Sequence, residues 1–322
     1  MIAPSMNALA EAKELAPYSS WTNGKAPSGS FRLPMTHEAR QFFLDQGFLV
    51  VDSGLSADEI RNLQQETVRI CRGELGEVGG VIPAGPAESD DDVIRKYLCV
   101  HFPHKISDLM FEVLSHPSIV NVLTSVIGPN VKCMQSMLFI KASGKPGQAW
   151  HQDEIYIPTR DRSLTGAWIA MDDAHVGNGC LWVLPGSHRR GVLYNMEWHG
   201  DRRFDCSHEA QNFPYSNDDA VPVEVKAGSI VFFNGYLLHR SLPNHATSGY
   251  RRALVNHYMS AESLLPWYGN VPEGQHVAIA DARDIVLVAG EDPYSYKGIE
   301  DYTKPGVRPS GEGGCGTQQY KE

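Results

Sequence analysis

His151 and Asp153 stand two residues apart, and a third group of related chemistry, His239, follows 86 residues beyond Asp153. Two side chains separated by one residue on an extended strand point to the same face. An imidazole nitrogen and a carboxylate oxygen placed this way can grip one metal ion from one side. A second histidine delivered by the fold would complete a 2-His-1-carboxylate face. Such a face leaves the opposite half of the ion open, which a non-haem Fe(II) oxygenase needs for a cosubstrate and O2. In a chain with 13 histidines one His-x-Asp carries little weight alone. The case depends on the elements that position it and on the motifs around it.

Those elements can be read from periodicity and punctuation. Residues 1–35 are expected to form a flexible arm. Thr36 can cap a short helix to Gln46, which Gly47 ends in a left-handed turn. Phe48-Leu49-Val50-Val51 reads as a buried strand. Ser56-Ala57-Asp58-Glu59 is a capping box, and the helix behind it sets Ile60, Leu63, Thr67 and Ile70 on one stripe. Residues 75–92, rich in Gly, Pro and acids, read as a loop. A helix pair follows, its second member opening at His116-Pro117 and stopping at Gly128-Pro129. From Val131 onward short strand-like runs alternate with turn residues: 131–141, 149–158, 165–172, 179–184, 221–225, 229–233 and 252–260. That spacing predicts a mainly β domain, a sandwich or jelly roll, over residues 36–262. Residues 189–220 carry few strand signals and are expected to be an insertion, a plausible lid. Residues 263–322 form a weakly patterned extension with a Gly-rich, mobile tail.

Composition narrows the partners. A net charge of −10 argues against nucleic acid, which needs clustered Lys and Arg. The six cysteines form no Cys-x-x-Cys pair, so neither a zinc cage nor a disulfide framework is expected. Separate reduced thiols fit a reducing, cytoplasmic compartment. Residues 1–30 show no basic region followed by an apolar one, and no apolar run approaches a membrane span, so no secretory leader and no membrane partner are expected.

Three further segments follow the His-x-Asp pair in order. Asn178-Gly179-Cys180-Leu181 leads to Pro185-Gly186-Ser187-His188. The run from Gly228 to Gly235 delivers His239-Arg240-Ser241, and Gly249-Tyr250-Arg251-Arg252 opens the next strand. Together these resemble the phytanoyl-CoA dioxygenase family of Fe(II)/2-oxoglutarate oxygenases, over roughly residues 36–262. The resemblance implies a double-stranded β-helix, a cupin-like jelly roll with an N-terminal helical layer packed on one side. It implies that His151, Asp153 and His239 hold the iron. Arg251 would pair with the distal carboxylate of 2-oxoglutarate through its guanidinium fork, and Ser241 would add a hydroxyl to that carboxylate. Met137 and Trp168 would line the cosubstrate pocket, and Lys96 would make a further contact. The loop from His239 to the arginine is one residue longer than is usual in the family, so Arg252 rivals Arg251. Strand alternation lets only one of them face the interior.

The implied cofactors are Fe(II), 2-oxoglutarate and O2, with succinate and CO2 released as a small organic substrate is hydroxylated at an unactivated carbon. Halogenating relatives carry Gly or Ala in place of the carboxylate, so Asp153 favours hydroxylation. Two other classes stay open. A cupin-like enzyme using Zn²⁺ or Mn²⁺ could employ the same three ligands without 2-oxoglutarate, and a non-catalytic jelly-roll module would need none of them. The remaining histidines read as structural or surface residues, with His257 retaining a chance of lining the site. For Trp150, Tyr156 and Trp168 core packing competes evenly with substrate contact.

Overall fold

Helix α1 (His37–Gln46) begins where Thr36 Oγ1 accepts the Ala39 N–H and ends at Gly47, whose positive φ lets its N–H reach the Phe43 carbonyl. Helix α2 (Ala57–Arg72) opens on the expected capping box. The Glu59 carboxylate accepts the Ser56 N–H at 2.7 Å, and Ser56 Oγ accepts the Glu59 N–H at 3.3 Å. Its stripe of Ile60, Leu63, Thr67 and Ile70 is buried, each aliphatic side chain contributing roughly 1.5–3 kcal/mol. Ser56→Ala is expected to lower unfolding stability by about 1 kcal/mol. An unchanged urea midpoint would contradict this account of the cap. The computed structural model describes residues 30–310 except 32, 206, 268–270, 272, 273 and 275. Most of the N-terminal arm and the tail beyond Ser310 therefore lie outside the described residues.

Three shorter helices follow: α3 (Asp90–Arg95), α4 (Asp108–Val113) and α5 (Pro117–Val126). The stretch Asp108–Val126 is 19 residues long and apolar enough to pass for a membrane span by length and composition, contrary to the expectation that no run approaches one. Here it is broken before Pro117, and it buries Met110, Val113, Ile119, Val122 and Leu123 in a core shared with the sheet.

The large sheet is built from β1 (Ser30–Phe31), β2 (Phe48–Val51), β3 (Tyr97–His101), β4 (Val131–Ala142), β6 (Thr165–Ala170), β11 (Ile230–Asn234), β13 (Tyr250–Ser260), β14 (Val286–Ala289) and β15 (Gly306–Pro309). Its order is β1-β2-β11-β6-β13-β4-β3-β15, with β14 also paired to β4. The small sheet runs β10 (Val221–Val223), β7 (Leu181–Val183), β12 (His239–Ser241), β5 (Gln148–His151). One face of the large sheet carries the helices over a core that includes Leu138, Ile140, Ile169 and Leu254. The other face closes with the small sheet around Trp168, Val183, Phe233, Leu237 and Val255. This is the double-stranded β-helix.

Four features depart from the sequence reading. The run 149–158 is not one strand: β5 ends at His151, and Asp153–Ile155 form a 3-10 turn, because the Asp153 carbonyl accepts the Tyr156 and Ile157 N–H groups. The expected helix pair is present as α4 and α5, but it is preceded by a strand the sequence did not suggest, β3, which lies between α3 and α4 and pairs with β4. The weakly patterned extension supplies β14 and β15, and Ser30–Phe31 from the arm pairs in parallel with β2. The insertion contains a hairpin, β8 (Met196–Trp198) with β9 (His208–Ala210). Its Tyr194 and Ala210 pack with Trp150 and Leu238 in a separate core on the outer side of the small sheet, so these residues brace the wall behind the site.

Candidate metal centre

The antiparallel pairing of β12 with β5 sets His239 directly opposite His151, and residues opposed in this way share a face. Their rings stand 4.1 Å apart between centroids. Gln152 is extended, so Asp153 turns to the same side although it belongs to the 3-10 turn. Asp153 Oδ1 lies 3.5 Å from Nε2 of each histidine. All three ligand atoms fall within 4.8 Å of one another, and all three residues are buried.

The hydrogen bonds around the cluster fix its chemistry. His151 Nδ1 is 2.8 Å from the Ala149 carbonyl, and His239 Nδ1 is 2.9 Å from that of Leu237. A carbonyl only accepts, so each Nδ1 carries the proton and donates. Burial and the neighbouring His239 push the His151 pKa down to about 4, so its Nε2 presents a lone pair. Burial pushes the Asp153 carboxyl up, but His239 and His257 outweigh it and hold the acid below the usual carboxylate range. Two imidazole nitrogens and an anionic oxygen converging at 3.5 Å are too far apart for an ordinary hydrogen bond and suit a shared cation. The donor set therefore fits a divalent ion with nitrogen and oxygen ligands.

Asp153 Oδ2 is held separately. His257 Nε2 approaches it at 2.9 Å and donates, leaving Oδ1 for the metal. His257 came only faintly from the sequence, yet the signal was there. Counting by twos along β13 from Arg251 passes Ala253 and Val255 and arrives at His257 on the same face. Groups that orient a metal ligand in this way usually cost about 10–100-fold in metal affinity or activity when removed. His257→Phe is expected to weaken Mn(II) binding by such a factor, read by titration calorimetry. Unchanged affinity would assign His257 to packing alone.

Alternation on β13 separates the two candidate arginines. Arg252 pairs with Ile140 on the helix-facing side and forms a bidentate ion pair with Asp172, at 2.7 and 2.8 Å. Arg251 pairs with Lys141, is buried, donates to the Gly179 carbonyl at 3.1 Å and sits over the Trp168 ring at 5.5 Å. Burial pushes its pKa down to about 10, so it keeps its charge at neutral pH. Ser241 and Arg251 border one cavity with Phe139, Lys141 and Gln148. Met137 and Trp168 flank Val255 across neighbouring strands.

Lys96 is engaged elsewhere. It caps α3, and its ammonium pairs with Glu88 at 2.7 Å. No hydrogen bond or ion pair joins it to the triad, Arg251 or Ser241 among the described residues. Lys141, which sequence reasoning passed over, lies in the cavity instead. Trp150 is a wall residue: Arg240 stacks between it and Trp182, at 4.6 and 5.9 Å. Tyr156, 39% exposed, meets the His151 ring edge-on at 6.1 Å and so marks an approach to the cluster.

Residues 43–253 match the family model for phytanoyl-CoA dioxygenase (PhyH). The chain belongs to the phytanoyl-CoA dioxygenase family. Family relatives include the peroxisomal phytanoyl-CoA dioxygenase of Mus musculus, 32% identical over 282 residues, covering 83% of this chain and 79% of that one. The phytanoyl-CoA dioxygenase of Arabidopsis thaliana is 30% identical over 261 residues, covering 71% and 90%. Among solved structures, the non-heme monooxygenase ThoJ superposes with a TM-score of 0.58 at 19% identity, over 79% of this chain and 84% of that chain. CytC3 with Fe(II) and alpha-ketoglutarate gives 0.54 at 21%, over 82% and 92%. These likenesses agree with the double-stranded β-helix, and the family's matched region spans the triad and ends two residues past Arg251.

Proposed function

We propose that the chain is an Fe(II)- and 2-oxoglutarate-dependent dioxygenase that hydroxylates an unactivated carbon of a small organic molecule and releases succinate and CO2. The observation that carries this reading is a pair of facing sites in one barrel. Two histidine nitrogens and one carboxylate oxygen converge beside the small sheet without a hydrogen bond between them, and a buried arginine stands on the inner face of the large sheet. A Zn²⁺ or Mn²⁺ isomerase would use the first site and have no evident need for the second.

The chain's own residues have distinct tasks in this scheme. His151, Asp153 and His239 would hold the iron. Arg251 would receive the distal carboxylate of 2-oxoglutarate on its fork, with Ser241 beside it. Met137 and Trp168 would wall the oxo-acid and keep water out. Bound iron supplies oxygen activation coupled to decarboxylation of the oxo-acid, chemistry that the protein directs through geometry. Hydroxylation is favoured over halogenation because a carboxylate stands at 153 and His257 holds it in place. The approach beside Tyr156 supports entry of a small molecule. The free, buried thiols of Cys71, Cys99, Cys133 and Cys180 support a reducing, cytoplasmic setting.

The test is to add Fe(II) and 2-oxoglutarate anaerobically and record the visible charge-transfer band, then admit O2 with candidate substrates and measure succinate against substrate loss. Substrate turnover that proceeds equally well without 2-oxoglutarate would sink the proposal.

A further inference from the structure

Ser241 Oγ accepts from two donors, Lys141 Nζ at 2.8 Å and the Gln148 N–H at 3.3 Å. A hydroxyl has two lone pairs and one proton. An ammonium has no lone pair and a peptide N–H cannot accept, so neither neighbour can take that proton. Ser241 donates no hydrogen bond to a protein acceptor among the described residues. Its O–H can therefore only be offered away from those two partners. Lys141 in turn has its N–H groups on Ser241 Oγ, the Leu242 carbonyl at 2.7 Å and, more weakly, the Gly179 carbonyl at 3.4 Å. It acts on a ligand through Ser241 and through its charge.

We propose that Lys141 is a positioning residue for the oxo-acid: it makes the Ser241 hydroxyl an obligate donor and adds a second positive charge beside the Arg251 fork, so that this end of the cavity selects a carboxylate. The inference rests on the 2-oxoglutarate reading and assigns the specificity of that site.

Three observations support it. Lys141 and Arg251 are paired across β4 and β13, both are buried, and no carboxylate lies within ion-pair distance of either among the described residues. The one acid bordering the cavity, Asp205, is paired with Arg308. Burial, with the Arg251 charge beside it, lowers the Lys141 pKa, and a carboxylate arriving beside the two cations opposes that shift and favours the ammonium form. Finally, Gly179 makes room for the arrangement. A Cβ there would lie 3.1 Å from Lys141 Nζ and collide with the Leu242 carbonyl, and the residue has φ +80°. This gives the Asn-Gly-Cys-Leu turn a role in the pocket.

The experiment is anaerobic calorimetric titration of Mn(II)-loaded protein with 2-oxoglutarate and with 2-oxobutyrate, which lacks the distal carboxylate. Lys141→Met removes the donor and the charge. Lys141→Gln keeps donors for the two carbonyls, which protects the fold, yet offers Ser241 an amide oxygen that can take back its proton. Both variants are expected to weaken 2-oxoglutarate about 10–100-fold, the range of a hydrogen bond to a charged group, and to leave 2-oxobutyrate and Mn(II) binding unchanged. In Ser241→Ala protein the Lys141→Gln substitution is expected to weaken 2-oxoglutarate less than it does in the parent, and Ser241→Thr is expected to retain most of the affinity. A folded Lys141→Gln protein that binds 2-oxoglutarate like the parent, or that loses both oxo-acids equally, would overturn the inference alone. If the parent protein fails to bind 2-oxoglutarate, the underlying reading falls and takes this inference with it.

Discussion

Asp153→Ala is expected to reduce 2-oxoglutarate-dependent turnover by on the order of 10³-fold or more, the scale usual for loss of an essential catalytic group, and His151→Ala should do the same. The reason lies in how few atoms the face contains. Each histidine offers one lone pair, because its other nitrogen is committed to a backbone carbonyl. Asp153 offers one oxygen, because the other is held by His257. Among the described residues no fourth side chain joins the ligand cluster. The check is metal content and succinate formation on purified variants, with thermal melting to show that the fold persists. Backbone hydrogen bonds of β5 and of the 3-10 turn do not depend on either side chain, so the variants should remain folded. Iron-dependent turnover surviving in Asp153→Ala would remove this centre from the reaction.

Arg251→Ala should act differently, raising the apparent requirement for 2-oxoglutarate by about 100-fold or more, as expected when a buried charge loses its partner. Saturating cosubstrate should recover part of the rate, since the metal ligands are untouched. Arg251→Lys should recover little, because an ammonium cannot reproduce the fork. Arg252→Ala is the informative control. Its guanidinium is committed to Asp172 on the far side of the strand, so it should lower stability and leave the 2-oxoglutarate requirement near that of the parent. Steady-state titration of the oxo-acid at fixed substrate separates the two. If Arg252→Ala showed the larger rise, the register of β13 as an inward-facing ruler would be wrong.

Much of this was legible in the sequence because it depends on local rules. The Thr36 and Ser56 caps, the Gly47 stop and Pro117 at a first helical turn each involve a few adjacent residues, and each is found in place. The triad was legible because motif order along the chain carried the long-range information. What escaped depends on partners that sequence does not show. β3, β14 and β15 are short and irregular, and they become strands through pairing with β4 or with one another. The strand expected through residue 158 ends at His151 because turn hydrogen bonds compete with the ladder. The insertion's charge hid a hairpin and a small aromatic core. Lys96, expected at the pocket from the resemblance, pairs with Glu88, and Lys141 borders the cavity. A lysine directly after the apolar run 137–140 was the available clue, readable only once alternation had shown which way it points.

Two of the three metal ligands ride on paired strands, while Asp153 rides on a turn just past the end of β5. A replacement at 153 therefore disturbs no ladder and shifts no register. The barrel can keep its two imidazoles in fixed alignment while the third corner of the centre varies in size or charge. A scaffold divided in this way lets new reactivity arise by exchanging a single side chain, with the architecture that locates everything else left intact.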